Sequence, residues 1–467
     1  KIQASFNRLA DGDVDEEDEL LMRKLIDAVK VISIPKEDIE LMKKSLFGFS
    51  TFWVTEDGPV GDLAFQSPPK WYGGHVFRGN LRGDRDEVYN TLTKSMQTLF
   101  GDKYELLMQP DVDPDSYYSL EAEPSAEEQR RVTFFVIPKE AFEPEPFTGF
   151  QYGVALLCLG LTVGSCVQLG IVAEVSILPP EIVKWFSNPD NLAPDVMLPP
   201  TITEDQLDDS VFQLLQAAVP IYGGVLGSTA AHELGHIIAG LVNGVKTSIP
   251  YFCPNVQLGT FGGVTRFRSL IKSRKTLFDM AAAGPAAGGA IGLVMFIAGL
   301  AMSNPAAAGD TQLVPLPPGL LQGSLLLGSI VSGVTGHDIN STADVFVHPL
   351  LVAGWCALSA TALQLLPVGS LDGGRMTQAA FGRSTLQFSG LITYLGLALG
   401  LLGGSLSLPF GLFILFTARS SEDSPRDDVT PVDNTRYSIA TGAIIFSILT
   451  LLPMITDTGS APPPGMM

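Results

Sequence analysis

Apolar and polar positions change their pattern once along the chain, near Gly149. Before that point apolar residues are interspersed with charges. Leu20, Leu21, Leu25, Ile26 and Val29 recur at helical intervals after an acidic start, and a second helical stretch runs from Pro35 to Phe47. Residues 86–100 predict a third helix. Residues 51–54 and the run VTFFVI at 132–137 read as strands, the second closed by Pro138. The acidic, proline-containing stretch 111–124 reads as a loop, and 138–149 as a linker.

After Gly149 the apolar runs reach the length of a membrane span, about 20 residues. Residues 150–177, 211–242, 280–302, 345–367 and 437–455 each qualify. The run 388–418 is interrupted by LLGGSLSLP, so it is one bent span or a hairpin of two. The run 320–334 is Gly-rich and only about 22 Å long as a helix, which predicts a re-entrant or surface segment. The expected fold is a polytopic α-helical membrane protein of about 6–8 membrane segments with an N-terminal soluble α/β domain. Its parts are an acidic domain and linker at 1–148, a membrane-embedded domain at 149–456, and a disordered tail at 457–467.

Composition sharpens this division. Hydrophobic residues make up 46% of the chain and charged residues only 17%, against roughly 25% in soluble proteins. The net charge is nevertheless −20, and residues 1–148 hold 29 of the 49 carboxylates but 17 of the 29 basic side chains. So acidic a segment excludes nucleic acid as a partner, because phosphate binding needs a basic face. The acidic start, Asp11 to Glu19, reads as a solvated helix start or a docking site for a basic partner. Cys158, Cys166, Cys253 and Cys356 form no CxxC pair and read as small buried hydrophobes.

One apolar run carries ionisable side chains that need a reason to be there. His232-Glu233-Leu234-Gly235-His236 places two imidazoles at i and i+4, on one face of a helix. Two imidazoles so spaced bind one Zn²⁺, and Glu233 beside the first is placed to act as general base toward a water that the ion activates. Ionisable groups at membrane depth cost about 2.5–3.5 kcal/mol each. The bland alternative is a self-satisfied buried polar cluster. A catalytic zinc needs a third protein ligand, and Asp372 in LLPVGSLDGGRM (365–376) is the carboxylate set most tightly among apolar residues and glycines. Taken alone, it reads first as a simple D-G turn at a helix end. Topology supports it: if 320–334 does not span, 345–367 returns Asp372 to the face where His236 lies. The basic loop 243–279, with Lys246, Arg266, Arg268, Lys272, Arg274 and Lys275, belongs on the cytoplasm-like side, and two spans before it place the N-terminal domain there too.

At these residues the chain resembles the site-2 protease family, whose metal site is HELGH with a distant LDG. SIPYFCPNVQLGTFGGVTRFRS (248–269), AAGPAAGG (282–289), LLQGSLLLG (320–328), VHPLLVAGWC (347–356) and GNLRG (79–83) look like the plastid branch called ethylene-dependent gravitropism-deficient and yellow-green proteins. The resemblance runs from about Trp71 to the last span. It implies His232, His236 and Asp372 as ligands of one Zn²⁺, Glu233 as catalytic base, a multi-pass position in a chloroplast membrane, thylakoid or envelope, and a role in plastid development; the expected partner is a membrane-protein substrate, and the basic loop puts the N-terminal domain on the stromal side. Many relatives carry an Asn before the LDG proline that is thought to hold the substrate backbone; here Gln364 stands there, with the same amide on a longer stem.

Gly259, Gly262 and Gly263 lie in a stretch that predicts a hairpin, either pairing with an extended substrate or packing on the active-site span. Gly284 and Gly288, with neighbouring alanines, predict close helix packing. His75 and His337 read as surface or capping residues, and His348 begins a span. The expected function is intramembrane peptide hydrolysis. The rivals are a catalytically silent zinc-binding scaffold, which structural zinc's usual four protein ligands disfavour, and a metal transporter, which would spread ionisable residues over several spans.

Overall fold

The computed structural model describes residues 34–60, 73–111, 131–142, 146–192, 202–303, 313–338 and 340–454. The helix expected at 20–29, most of the loop 111–124 and the tail 457–467 lie outside them. The chain forms two compact units: one of residues 1–145 with 269–274 and 424–431, the other of 146–268, 275–423 and 432–467.

Among the described residues the first unit is an antiparallel sheet with two α-helices. Its elements are α1 (Lys36–Ser45), β1 (Phe52–Pro59), β2 (His75–Leu81), α2 (Arg85–Phe100), β3 (Tyr104–Pro110) and β4 (Arg131–Pro138), in sheet order β1-β2-β4-β3. Asp84 caps α2 by accepting from the amides of Asp86 and Glu87 at 3.0 and 3.3 Å. β4 is apolar on both faces because both are covered. Val132, Phe134 and Val136 join the core of Met42, Phe52, Phe77 and Leu92, whereas Phe135 and Ile137 pack with Val60, Val76 and Leu107. Phe52 meets Phe134 edge-on at 4.7 Å. His75 is a correction to the sequence reading: it is buried on β2, and its Nε2 lies 2.9 Å from Asp57 Oδ2. Lys43 binds the same carboxylate oxygen. Segments 269–274 and 424–431 belong here because Arg426 pairs with Glu105 at 2.7 Å and the Met108 amide donates to Arg426 O.

The second unit is helical. In chain order it contains α3 (Gly149–Ala173), α4 (Pro180–Phe186), α5 (Glu204–Asn243), the hairpin β5 (Tyr251–Asn255) and β6 (Gly259–Val264), and α6 (Arg274–Met302). It continues with β7 (Val314–Leu316), α7 (Pro318–Gln322), α8 (Leu325–Thr335), β8 (Val345–Val347), α9 (Pro349–Gln364), α10 (Asp372–Phe381), α11 (Arg383–Ala398), α12 (Ser407–Thr417) and α13 (Asn434–Leu451). Thr148 with Gln151 and Thr203 with Gln206 form capping boxes that start α3 and α5.

Among the described residues three helices, α3, α5 and α6, are long and apolar enough to cross a membrane. Where the sequence reading expects about 6–8 membrane segments, the described residues hold three such helices and several shorter apolar ones. The run 345–367 begins as β8, and its helix has 16 residues, about 24 Å against a hydrocarbon core of about 30 Å. Its side chains are apolar because protein surrounds them: α9 is buried along nearly its whole length. The run 388–418 is two helices, α11 and α12, and 320–334 is the short pair α7 and α8, as expected from its length. His348 caps α9 by accepting from the Leu350 amide.

Glycines let these helices meet backbone to backbone. A methyl group on Gly235 would strike Ala283 O of α6, and one on Gly299 or Gly354 would collide with the facing backbone of α9 or α6. Ser228 Oγ donates to Gly288 O at 2.9 Å across the same interface. Between α9 and α10 the chain turns sharply at Gly369, at φ +55°, where an added methyl would run into Ala418 O. The Ser370 amide donates to that carbonyl at 2.9 Å.

Gly369→Ala combines left-handed strain of about 1–2 kcal/mol with overpacking of about 1–3 kcal/mol. Its thermal unfolding midpoint in detergent should fall by several degrees. Gly227→Ala, where a methyl meets open space, should leave the midpoint unchanged or slightly raised.

Candidate metal centre

α5 brings His232 and His236 onto one face, and α10 begins with Asp372 directly opposite. All three are buried. Asp372 Oδ2 lies 3.0 Å from His232 Nε2 and 3.2 Å from His236 Nε2, and the two nitrogens are 3.2 Å apart. Three ligand atoms thus converge on one point. Around Zn²⁺ with bonds of about 2.0–2.1 Å in a tetrahedral arrangement, ligand atoms sit about 3.3 Å apart, so the triangle fits the ion.

The surroundings supply a chemical reason for a cation. His236 Nδ1–H donates to Met280 O of α6 at 2.9 Å. A neutral His236 therefore turns an Nε2 lone pair toward a carboxylate oxygen, an arrangement that a shared cation satisfies. Space is left for that cation by a glycine: a methyl on Gly284 of α6 would fall onto Nε2 of both His236 and His232. Gly284 was legible in the sequence only as a packing residue, and it also shapes the cradle.

Glu233, on the same turn as His232, faces the hairpin. Its Oε2 accepts from Thr265 Oγ1 at 2.5 Å. Its Oε1 is buried without a partner among the described residues, which leaves one oxygen that a reacting water could meet. Gly263 gives this carboxylate its room, since a methyl there would collide with Oε1. Gln364 is buried and its Nε2 donates to Phe261 O at 2.7 Å, while Gly262, at φ +99°, lies against that amide. Gly259 does not join them. It packs on Cys166 and Val225, and Ser165 Oγ donates to its carbonyl at 2.5 Å. The hairpin therefore packs on α3, α5 and α9 through its glycines. A cavity of about 20 Å³, enough for a water molecule, lies beside His232 and is lined by Ser228, Thr229, Gly262, Thr361 and Gln364.

Residues 221–403, which hold His232, Glu233, His236, the hairpin, Gln364 and Asp372, match the family described as Peptidase family M50. Residues 40–144 match the EGY3 middle domain. The probable zinc metalloprotease EGY1, chloroplastic, of Arabidopsis thaliana is 41% identical over 432 residues, covering 92% of this chain and 74% of its own length. The EGY1 protein of Oryza sativa subsp. japonica is 42% identical, covering 92% and 70%. The chain belongs to peptidase family M50. No solved structure matches it. The probable zinc metallopeptidase EGY3, chloroplastic, of Arabidopsis thaliana is 28% identical, covering 96% of this chain and 70% of its own length.

As an M50 peptidase the chain is an intramembrane zinc metalloprotease, and its soluble unit is part of what it shares with the EGY group. Sequence reasoning missed two side chains that touch this centre. Arg375 is buried with Nη1 3.5 Å from Asp372 Oδ1, and its signal was a lone cation one turn beyond the LDG. Thr265 gave no signal, because its contact with Glu233 depends on the path of the hairpin.

The two glycines separate metal binding from chemistry. Gly284→Ala should lose bound zinc, measured by elemental analysis of the purified protein. Gly263→Ala should retain zinc yet lose most cleavage of a model substrate, because it displaces only the carboxylate.

Proposed function

We propose that His232, His236 and Asp372 hold the zinc ion, that Glu233 is the general base, and that the chain hydrolyses peptide bonds of membrane proteins within or near the bilayer of a chloroplast membrane. The observation that carries this reading is the convergence of Nε2, Nε2 and Oδ2 within 3.0–3.2 Å beside a carboxylate with one unpartnered oxygen. The chloroplast assignment rests on the chloroplastic EGY relatives.

Zinc bound there supplies Lewis-acid polarisation of a carbonyl and activation of a water at neutral pH. The chain's own groups do the rest. Glu233 Oε1 removes a proton from the attacking water and returns it to the leaving nitrogen, while Thr265 holds Oε2 in place. Met280 O fixes the His236 ring through Nδ1–H. Gln364 and Gly262 border the water-sized cavity beside His232, and the extended substrate is positioned against these two residues. An apolar helix hides its carbonyls, so the substrate segment unwinds to reach Glu233.

The basic loop 243–279 follows the positive-inside pattern and sets the stromal face. With two spans before it, the acidic N-terminal segment emerges on that side too.

The test is cleavage of a single-span substrate by full-length protein in liposomes, with bound zinc quantified. Glu233→Gln should lower cleavage by about 10²–10⁴-fold and keep its zinc, and a zinc chelator should silence the wild type. Cleavage at the wild-type rate by Glu233→Gln would sink the mechanism. A zinc-loaded wild type that cuts no substrate would favour the scaffold reading.

A further inference from the structure

Two carboxylates at this centre carry different tasks, and each is gripped by the oxygen it does not use. Asp372 turns Oδ2 to the histidines and Oδ1 to Arg375 Nη1 at 3.5 Å. Glu233 keeps Oε1 unpartnered and gives Oε2 to Thr265 Oγ1 at 2.5 Å. The two grips are joined. Arg375 Nη2 donates to the backbone carbonyl of Thr265 at 2.9 Å. The third arm of the same guanidinium, Nε, donates to Glu422 Oε2 at 2.9 Å, and the ring of Phe267 lies 4.2 Å from its carbon. Gln378 and the Glu422 backbone exchange hydrogen bonds in both directions, so Glu422 is itself anchored to α10.

We infer that Arg375 and Thr265 form one positioning unit, which registers the general base on α5 against the metal-binding carboxylate on α10. The inference rests on the roles proposed above for Glu233 and Asp372. Neither residue reaches the reacting atoms. Thr265 acts through Glu233, by fixing the rotamer that aims Oε1 at the reacting water. Arg375 acts through Asp372 and through Thr265, and its fork geometry is what lets one side chain serve both. Lysine has a single nitrogen and cannot hold Oδ1, the Thr265 carbonyl and Glu422 at their separate positions. The guanidinium also offsets the buried carboxylate of Asp372 and the partly buried one of Glu422, in a setting where an uncompensated charge is costly.

A merely structural role predicts that substitutions lower stability and nothing else. A positioning role predicts split kinetics and a changed metal site. Full-length wild type, Thr265→Val, Thr265→Ser, Arg375→Lys and Glu233→Gln would be compared in liposomes for kcat and KM on a single-span substrate. Zinc retention against a competing chelator and the visible absorption spectrum of the cobalt-substituted protein would be recorded for each. Thr265→Val, which keeps the side-chain shape, should lose about 10–100-fold in kcat with KM and zinc retention within about twofold of wild type. Thr265→Ser should restore most of that loss. Arg375→Lys should lower zinc affinity by about 10–100-fold and shift the cobalt spectrum. If Arg375→Lys does not fold, Glu422→Gln loosens the same guanidinium and should move both readouts in the same direction by a smaller amount.

Wild-type kcat in Thr265→Val, equal losses in Thr265→Val and Thr265→Ser, or unchanged zinc retention and spectrum in Arg375→Lys would overturn the proposal while leaving the zinc site standing. A wild type that binds no zinc, or a Glu233→Gln variant that cuts normally, would overturn the reading of the site itself and this unit with it.

Discussion

Ionisable groups set among apolar helices must compensate one another, because neither lipid nor packed side chains will. In this chain the meeting of Asp372 with His232 and His236 is where that constraint is met. The rest of the helical unit follows from it. A carboxylate oxygen about 3 Å from two imidazole nitrogens requires α5 and α10 to approach closely, and the approach is possible only because other contacts have been reduced to backbone. Gly235 and Gly288 seat α5 on α6, Gly299 and Gly354 seat α9 on α6, and the turn at Gly369 swings α10 back toward α5. The glycines are thus distributed where the site demands short distances.

The hairpin β5–β6 completes the centre from the other side. A strand with ordinary side chains could not lie on Glu233 and Gln364 as β6 does at Gly263 and Gly262. The same strand closes the cavity beside His232 and leads directly into Thr265. Its role in holding an extended substrate remains part of the proposal, while its packing on the helices is part of the fold.

The site was legible because its signal is local. His232, Glu233 and His236 sit at one helical repeat inside an apolar run, and Asp372 stands among glycines and leucines where a lone carboxylate is expensive. Their mutual contact could be argued from topology, though the argument treated 345–367 as a span. That segment shows where composition stops informing. Burial by protein and burial by lipid select the same residues, so composition alone does not distinguish a lipid-facing span from α9, which is short and enclosed by protein. β2 and β3 were missed for the opposite reason: Arg78, Gly79 and Asn80 break the alternation of β2, and pairing with β1 and β4 makes it a strand. Thr265 carries no pattern at all, and the small-residue pattern around Gly284 speaks only of helix packing. Their importance arises from what the folded chain lays against them.

The placement of the proposed ligands along the chain has a consequence for biosynthesis. His232 and Asp372 are separated by 140 residues, and the guanidinium behind Asp372 is held by Glu422, 47 residues further on. A ribosome making this chain releases the HELGH helix first, carrying two histidines and a glutamate but no carboxylate to complete the triangle. The centre closes only after α9 has delivered Asp372, and it gains its outer support when the segment after α12 arrives. A chain interrupted before α10 therefore lacks Asp372 and cannot close the proposed ligand triangle.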